Sequence, residues 1–184
     1  FSRKSFKMYK DTVALLLKTG FPMAVQNCIT GLSFLFLTAL VNLHGENASA
    51  ALGAIRNFNG FGVLPAIAMS SAISAMSAQN LGAKEYGRAK KTMYIGMVIA
   101  VAISAIVFVV SQIWPREIVS IFCDESEVIN FGVQYLSSFK YEFVVIPFLF
   151  ALNGLFIGAG HTTFSLINTI IGSLLIRIPI TYVV

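Results

Sequence analysis

Long apolar runs separated by short charged or glycine-rich breaks dominate the chain. A transmembrane helix needs about 20 mostly apolar residues at 1.5 Å rise each, and five windows satisfy that length, at about 13–43, 53–80, 92–113, 135–157 and 164–184. The first contains Gly20-Phe21-Pro22, where the missing donor of Pro22 predicts a kink or restart, and Gly45-Glu46-Asn47 ends it. The second is rich in Ala, Ser, Met and Gly, a composition suited to close helix contact in lipid, and Pro65 predicts a second break. The third is uncharged and closes on Trp114-Pro115, an interfacial aromatic followed by a helix stop. Residues 115–130 hold Arg116, Glu117, Asp124, Glu125 and Glu127, which predicts an aqueous connection with a short amphipathic helix around 117–122. Between the last two spans, Gly158-Ala159-Gly160-His161-Thr162 leaves room only for a hairpin. The fold class is an all-α membrane protein of about five transmembrane helices.

Composition strengthens that reading. Soluble domains are about 45 to 50 % apolar and about 25 % charged, whereas this chain is 57 % hydrophobic and 11 % charged, with a mean hydropathy of +0.79. A soluble core could not hide so much apolar surface, but a bilayer accepts it directly. The net charge of +5 comes from residues that gather beside apolar runs without interleaved aromatics, so they read as membrane anchors and no nucleic-acid partner is expected. Cys28 and Cys123 form no CxxC or Cys/His cluster and fall in a helix and a distant loop, so they are expected to stay apart. The basic start leads into a long apolar run with no cleavage pattern. It begins at Phe1, and the last apolar run stops at Val184, as expected of an excised or incomplete chain.

Loop charge sets orientation, because short cytoplasmic loops carry the excess of Lys and Arg. Arg3, Lys4, Lys7, Lys10 and Lys18 before the first proline, and Lys84, Arg88, Lys90 and Lys91 after the second span, face only Asp11 and Glu85. The opposite loops carry Glu46, Glu117, Asp124, Glu125 and Glu127 against Arg116. The basic loops are therefore expected inside the cell and the acidic ones outside.

Four stretches in register carry a family resemblance. They are Lys18-Thr19-Gly20-Phe21-Pro22 opening a helix that ends Leu40-Val41-Asn42, and Gln79-Asn80-Leu81-Gly82-Ala83-Lys84 with Gly87-Arg88-Ala89-Lys90. The others are the Gly158-to-Thr162 hairpin and Arg177-Ile178-Pro179-Ile180-Thr181-Tyr182. Together they resemble the C-terminal lobe of the multidrug and toxic compound extrusion (MATE) transporters. The resemblance implies a twelve-helix protein of two pseudo-symmetric lobes, with residues 1–184 forming most of the second and lacking its final helix. It also implies export of cationic amphiphiles by antiport with H+ or Na+, in the cell membrane, as in a bacterial inner membrane. The implied partners are those cationic small molecules, membrane lipids and the N-terminal lobe of the same protein. The chain departs from some relatives in placing His161 where the hairpin often has an acid, and Gln26 near a position that can hold a carboxylate.

Intramembrane ionisable groups are expensive and mark function by default. Arg56 and Lys140 lie near helix ends where their stems can snorkel. Glu142 and Arg177 lie deeper: Glu142 is 16 residues before Gly158 and Arg177 is 15 after Thr162, so at 1.5 Å per residue both sit about 22 to 24 Å from the hairpin. Antiparallel helices then put them level, where a bidentate pair would satisfy both. Gln26, Asn27, Thr30, Asn57 and Asn59 are polar groups that either line a substrate or ion pathway or glue helices together. The candidate pathway residues are thus Gln26, Asn27, Asn57, Glu142 and Arg177. Met69 and Met76 share a face suited to helix packing, and Tyr141 and Tyr182 to interfacial anchoring or cation-π contact. No Ser/His/Asp, paired-carboxylate or HExxH arrangement points to an enzyme, and lone His161 points to no metal; no cofactor beyond the coupling ion is expected. Competing readings are a lipid-linked oligosaccharide flippase, which would carry more basic residues in its cavity, and a non-transport membrane scaffold.

The orientation is testable on the full-length protein with Cys28 and Cys123 removed. An impermeant thiol reagent applied outside should modify a cysteine at position 125 and spare one at 88; the reverse pattern would invert the topology.

Overall fold

A computed structural model describes residues 9–43, 45–139 and 141–179, with the side chains of Ser138 and Phe139 excepted. The described residues form seven α-helices and no strand: α1 Lys10–Asn42, α2 Glu46–Gly82, α3 Tyr86–Ile113, α4 Pro115–Ser120, α5 Ser126–Phe139, α6 Glu142–Gly158 and α7 Thr162–Ile170. The last runs on into a π-helical segment, Ile171–Arg177. Helices α1, α2 and α3 are each long and apolar enough to cross a bilayer, and α5 with α6, bent by 56° where they meet, passes the same test of length and composition as a broken span or a re-entrant loop. Residues Thr162–Arg177 form a shorter apolar helix. In lipid the backbone can satisfy its polar groups only within such elements.

Helix is unbroken at both prolines: α1 runs through Pro22 and α2 through Pro65, so neither restarts its helix. Each proline removes one donor, and the bonds of the flanking turns keep the helix continuous. Threonines in α1 turn inward on their own helix, with Thr30 Oγ1 donating to the Gln26 carbonyl at 3.0 Å and Thr38 Oγ1 to that of Phe34 at 2.8 Å.

The expected fourth span, 135–157, falls on the end of α5, which starts at Ser126, and on α6, which starts at Glu142. The expected short amphipathic helix forms close to its place as α4: Arg116 and Glu117 are exposed, while Ile118 and Val119 are buried with Ile129 and Leu136 against Ala54 and Ile55 of α2. The charges at 116, 117, 124, 125 and 127 mask apolar positions that one helical face collects. Gly132 lets α4 approach, since a Cβ there would lie 2.6 Å from Val119 Cγ1. At the same end Asn47 Nδ2 donates to Glu127 Oε2 at 2.8 Å.

α2 is the centre of the fold, packed on α3, α5 and α6, while α1 packs mainly on α7 and its π-helical continuation. The α2–α6 contact is made backbone to backbone. Gly154 and Gly158, four apart on α6, lie directly over the carbonyls of Ser70 and Ser74 on α2. This is small-xxx-small packing, through which helices associate where lipid leaves no hydrophobic drive. Ile73 fills the next gap against Gly96 of α3, and Met69 reaches the same glycine, so the methionine face serves packing there. The hairpin between α6 and α7 turns at Gly160, whose φ of 79° suits a residue without Cβ. Both cysteines are free.

A Cβ on Gly154 would stand 2.5 Å from the Ser70 carbonyl oxygen, a backbone atom that cannot step aside. Gly154→Ala should therefore cost about 1 to 3 kcal/mol by overpacking and lower the unfolding midpoint in detergent. Gly53→Ala, which meets open space, should not; equal behaviour of the two would discount the contact.

Candidate functional site

The α1–α7 pair and the α2–α6 pair leave a cavity of about 540 Å³ between them, within the range of small-molecule sites. Each wall is one helical face at spacings of three and four. α1 contributes Gln26, Thr30 and Phe34; α2 contributes Arg56, Asn59, Gly60, Val63 and Ile67. α6 contributes Glu142, Ile146, Leu149, Phe150 and Asn153, and the last helix Ser165, Asn168, Thr169, Ser173 and Arg177. From Gln26 to Phe34 and from Glu142 to Asn153 the wall extends about 12 to 16 Å along the helices.

The two ends differ in chemistry. Near the hairpin, the buried Ser165 hydroxyl donates to Gln26 Oε1 at 3.0 Å and meets the side-chain amide of Asn153. One hydroxyl proton cannot serve two carbonyl oxygens, so one of these amides turns its NH2 toward the Ser165 oxygen. α1, α6 and α7 are thereby tied together. Ser33, also buried, donates to the Ser173 carbonyl at 3.4 Å within the π-helical segment. That segment lies just upstream of Pro179, whose missing N–H and ring disfavour a regular bond to Leu175.

The other end carries the charges. Glu142 opens α6, at the terminus whose dipole favours a negative charge, and Arg177 ends the π-helical segment, beyond which the helix continues through Ile178 and Pro179. The depth argument from the sequence brings them to one wall, and the Arg177 charge acts on both Glu142 and Tyr135. The carboxylate accepts a hydrogen bond from Asn59 Nδ2 at 3.5 Å, while Asn59 Oδ1 is buried without a partner among the described residues. Arg177 lies over the Phe34 ring at 4.3 Å from its centroid, and Arg56 over the same ring at 5.2 Å. Arg56, expected to snorkel, is thus also a cavity residue.

Of the sequence candidates, Gln26, Glu142 and Arg177 converge on the cavity. Asn27 and Asn57 do not line it and are exposed, because one residue along a helix turns the side chain about 100° away. Asn59 takes the place expected of Asn57. Phe34, Asn153 and Ser165 were missed by sequence reasoning, although Gln26, Thr30 and Phe34 repeat every fourth residue, and Ser165 and Thr169 do the same. Tyr141 packs against Phe108 with centroids 6.4 Å apart; Tyr182 and Lys140 lie outside the described residues. Met76 lines a separate cleft with Arg88 and Lys91.

Ser165→Ala should loosen the three-helix network. Interhelical hydrogen bonds in membranes are each worth about 0.6 kcal/mol, reaching about 1.7, so a loss of about 1 kcal/mol in detergent unfolding is expected. Unchanged stability would remove the network from the forces holding α1.

The MatE family model matches residues 22–183. The chain is 28 % identical over 134 residues to the probable multidrug resistance protein YoeA of Bacillus subtilis, covering 73 % of this chain and 29 % of that protein. It is 26 % identical over 168 residues to the probable multidrug resistance protein YpnP of the same organism, covering 91 % and 38 %. To the probable multidrug resistance protein NorM of Thermotoga maritima it is 24 % identical over 197 residues, covering 100 % and 41 %. The chain therefore spans well under half the length of these relatives. No solved structure matches it significantly. With a family model matched along nearly its whole length and a multi-pass bundle of apolar helices around one polar cavity, the chain belongs to the MATE family of membrane transporters.

Proposed function

We propose that this chain supplies one wall of the substrate cavity of a multidrug exporter, which moves organic amphiphiles, cationic drugs among them, out of the cell in exchange for H+ or Na+. The observation that carries the reading is the cavity itself: a face of amides, hydroxyls and three charged groups inside a bundle whose outer surface is apolar. Ionisable groups within apolar spans are expensive in lipid and mark pathways by default. The names of the relatives support drug export, and the N-terminal lobe would close the cavity from the other side. The site of action is the cell membrane, as in a bacterial inner membrane, and the substrate is transported unchanged.

Glu142 is the one carboxylate on the described cavity wall. It is the group on this face able to take up a proton or a sodium ion, and Asn59 and Arg177 are the neighbours that would respond. In full-length protein reconstituted into vesicles, Glu142→Gln should bind a fluorescent drug but lose most of the efflux driven by an imposed H+ or Na+ gradient. Full gradient-driven efflux by the variant would confine Glu142 to bridging α2 and the last helix.

One observation favours the flippase reading: Arg56 joins Arg177, so the cavity holds two basic residues rather than one. Transbilayer movement of a lipid-linked oligosaccharide in the same vesicles, without dye efflux, would support it.

A further inference from the structure

The charged end of the cavity has an arrangement that a site for simple cations would not need. Two guanidiniums and one carboxylate line the described wall, so its formal balance is positive. Of the two aromatic residues on the wall, Phe34 and Phe150, the one at the charged end, Phe34, is already engaged by Arg177 at 4.3 Å and Arg56 at 5.2 Å. A guanidinium held over a ring keeps its five N–H donors, which match a planar oxyanion. Arg56 is exposed, lines the cavity and makes no ion pair among the described residues. The Phe34 ring beside it limits its rotamers, which lowers the cost of ordering it around such a group.

We propose that Phe34, Arg56 and Arg177 form a subsite for the carboxylate of an amphiphilic substrate. The proposal rests on the efflux reading and narrows its substrate class to molecules that carry a carboxylate along with their apolar body, zwitterions included. In a zwitterion the cationic group would face Glu142, across the same end of the cavity, while the apolar body lies along Val63, Ile67, Ile146 and Leu149. The amides and hydroxyl around Ser165 then bound the far end.

The test compares a carboxyl-bearing rhodamine with its methyl ester, two dyes of the same ring system that differ in the carboxylate. Binding is read by fluorescence polarisation on purified full-length protein in phosphatidylcholine nanodiscs. Wild-type protein should prefer the acid. Arg56→Gln should weaken the acid about tenfold, the loss of one charge-assisted hydrogen bond, and leave the ester within about twofold. Arg56→Lys, which keeps the charge but loses the fork, should fall between. Phe34→Leu, which removes the ring under both guanidiniums, should also weaken the acid selectively. Equal loss for acid and ester, or an acid affinity indifferent to Arg56, overturns the subsite and leaves drug export standing. Failure of the folded wild-type protein to bind either dye, with folding confirmed by its melting profile, counts against the export reading and overturns the subsite with it.

Discussion

Helices in lipid have no apolar surface to hide from their solvent, so their association depends on how closely their backbones can approach. In this chain that approach is concentrated where Gly154 and Gly158 of α6 lie on the Ser70 and Ser74 carbonyls of α2. The contact fixes the angle and depth of α6 relative to the central helix. Depth matters most at Glu142, three turns away at the start of α6, because its distance from Asn59 on α2 follows from the register set at the glycines. Phe143, one residue on, is fully buried against Gly62 and edge-on to Phe58 and secures that end. Small residues at one end and an aromatic in a glycine notch at the other thus hold one wall of the cavity rigid.

The opposite wall is held differently. α1 exposes many of its large apolar side chains, among them Leu15, Phe21, Leu32 and Leu35, and buries Ser33 against the last helix. Its attachment relies on the Gln26–Ser165 contact, the Ser33–Ser173 contact and the stacking of Arg177 on Phe34. Each is individually modest in a membrane. A bundle that is tight between α2, α3 and α6 and lighter between α1 and α7 suits a transporter, since alternating access requires elements that rock around a fixed site. The π-helical segment carries one of those lighter contacts and ends at Arg177, so the least regular helix in the chain positions one of its most consequential charges.

The chain by itself determined the membrane class, through apolar runs long enough to span and too apolar to fold in water. It determined the approximate helices and the short turn at Gly160. It also set Glu142 and Arg177, which line the same cavity, at a similar count from one hairpin. These properties are local or set by chain length, and they need no knowledge of neighbours. Tertiary structure alone decided the rest. Prolines 22 and 65 read as kinks or breaks, yet the helix is continuous through both. The acidic stretch after Pro115 read as a connection with a short amphipathic helix, and only packing on Ala54 and Ile55 showed where the apolar face of Ile118, Val119 and Ile129 is buried. Asn27 and Asn57 read as well as Gln26 and Asn59, because which helical face meets a cavity depends on rotation about the helix axis. Phe34 is the extreme case, an ordinary apolar residue in sequence whose role arises when two arginines from other helices, 22 residues and 143 residues further along the chain, arrive over the same ring.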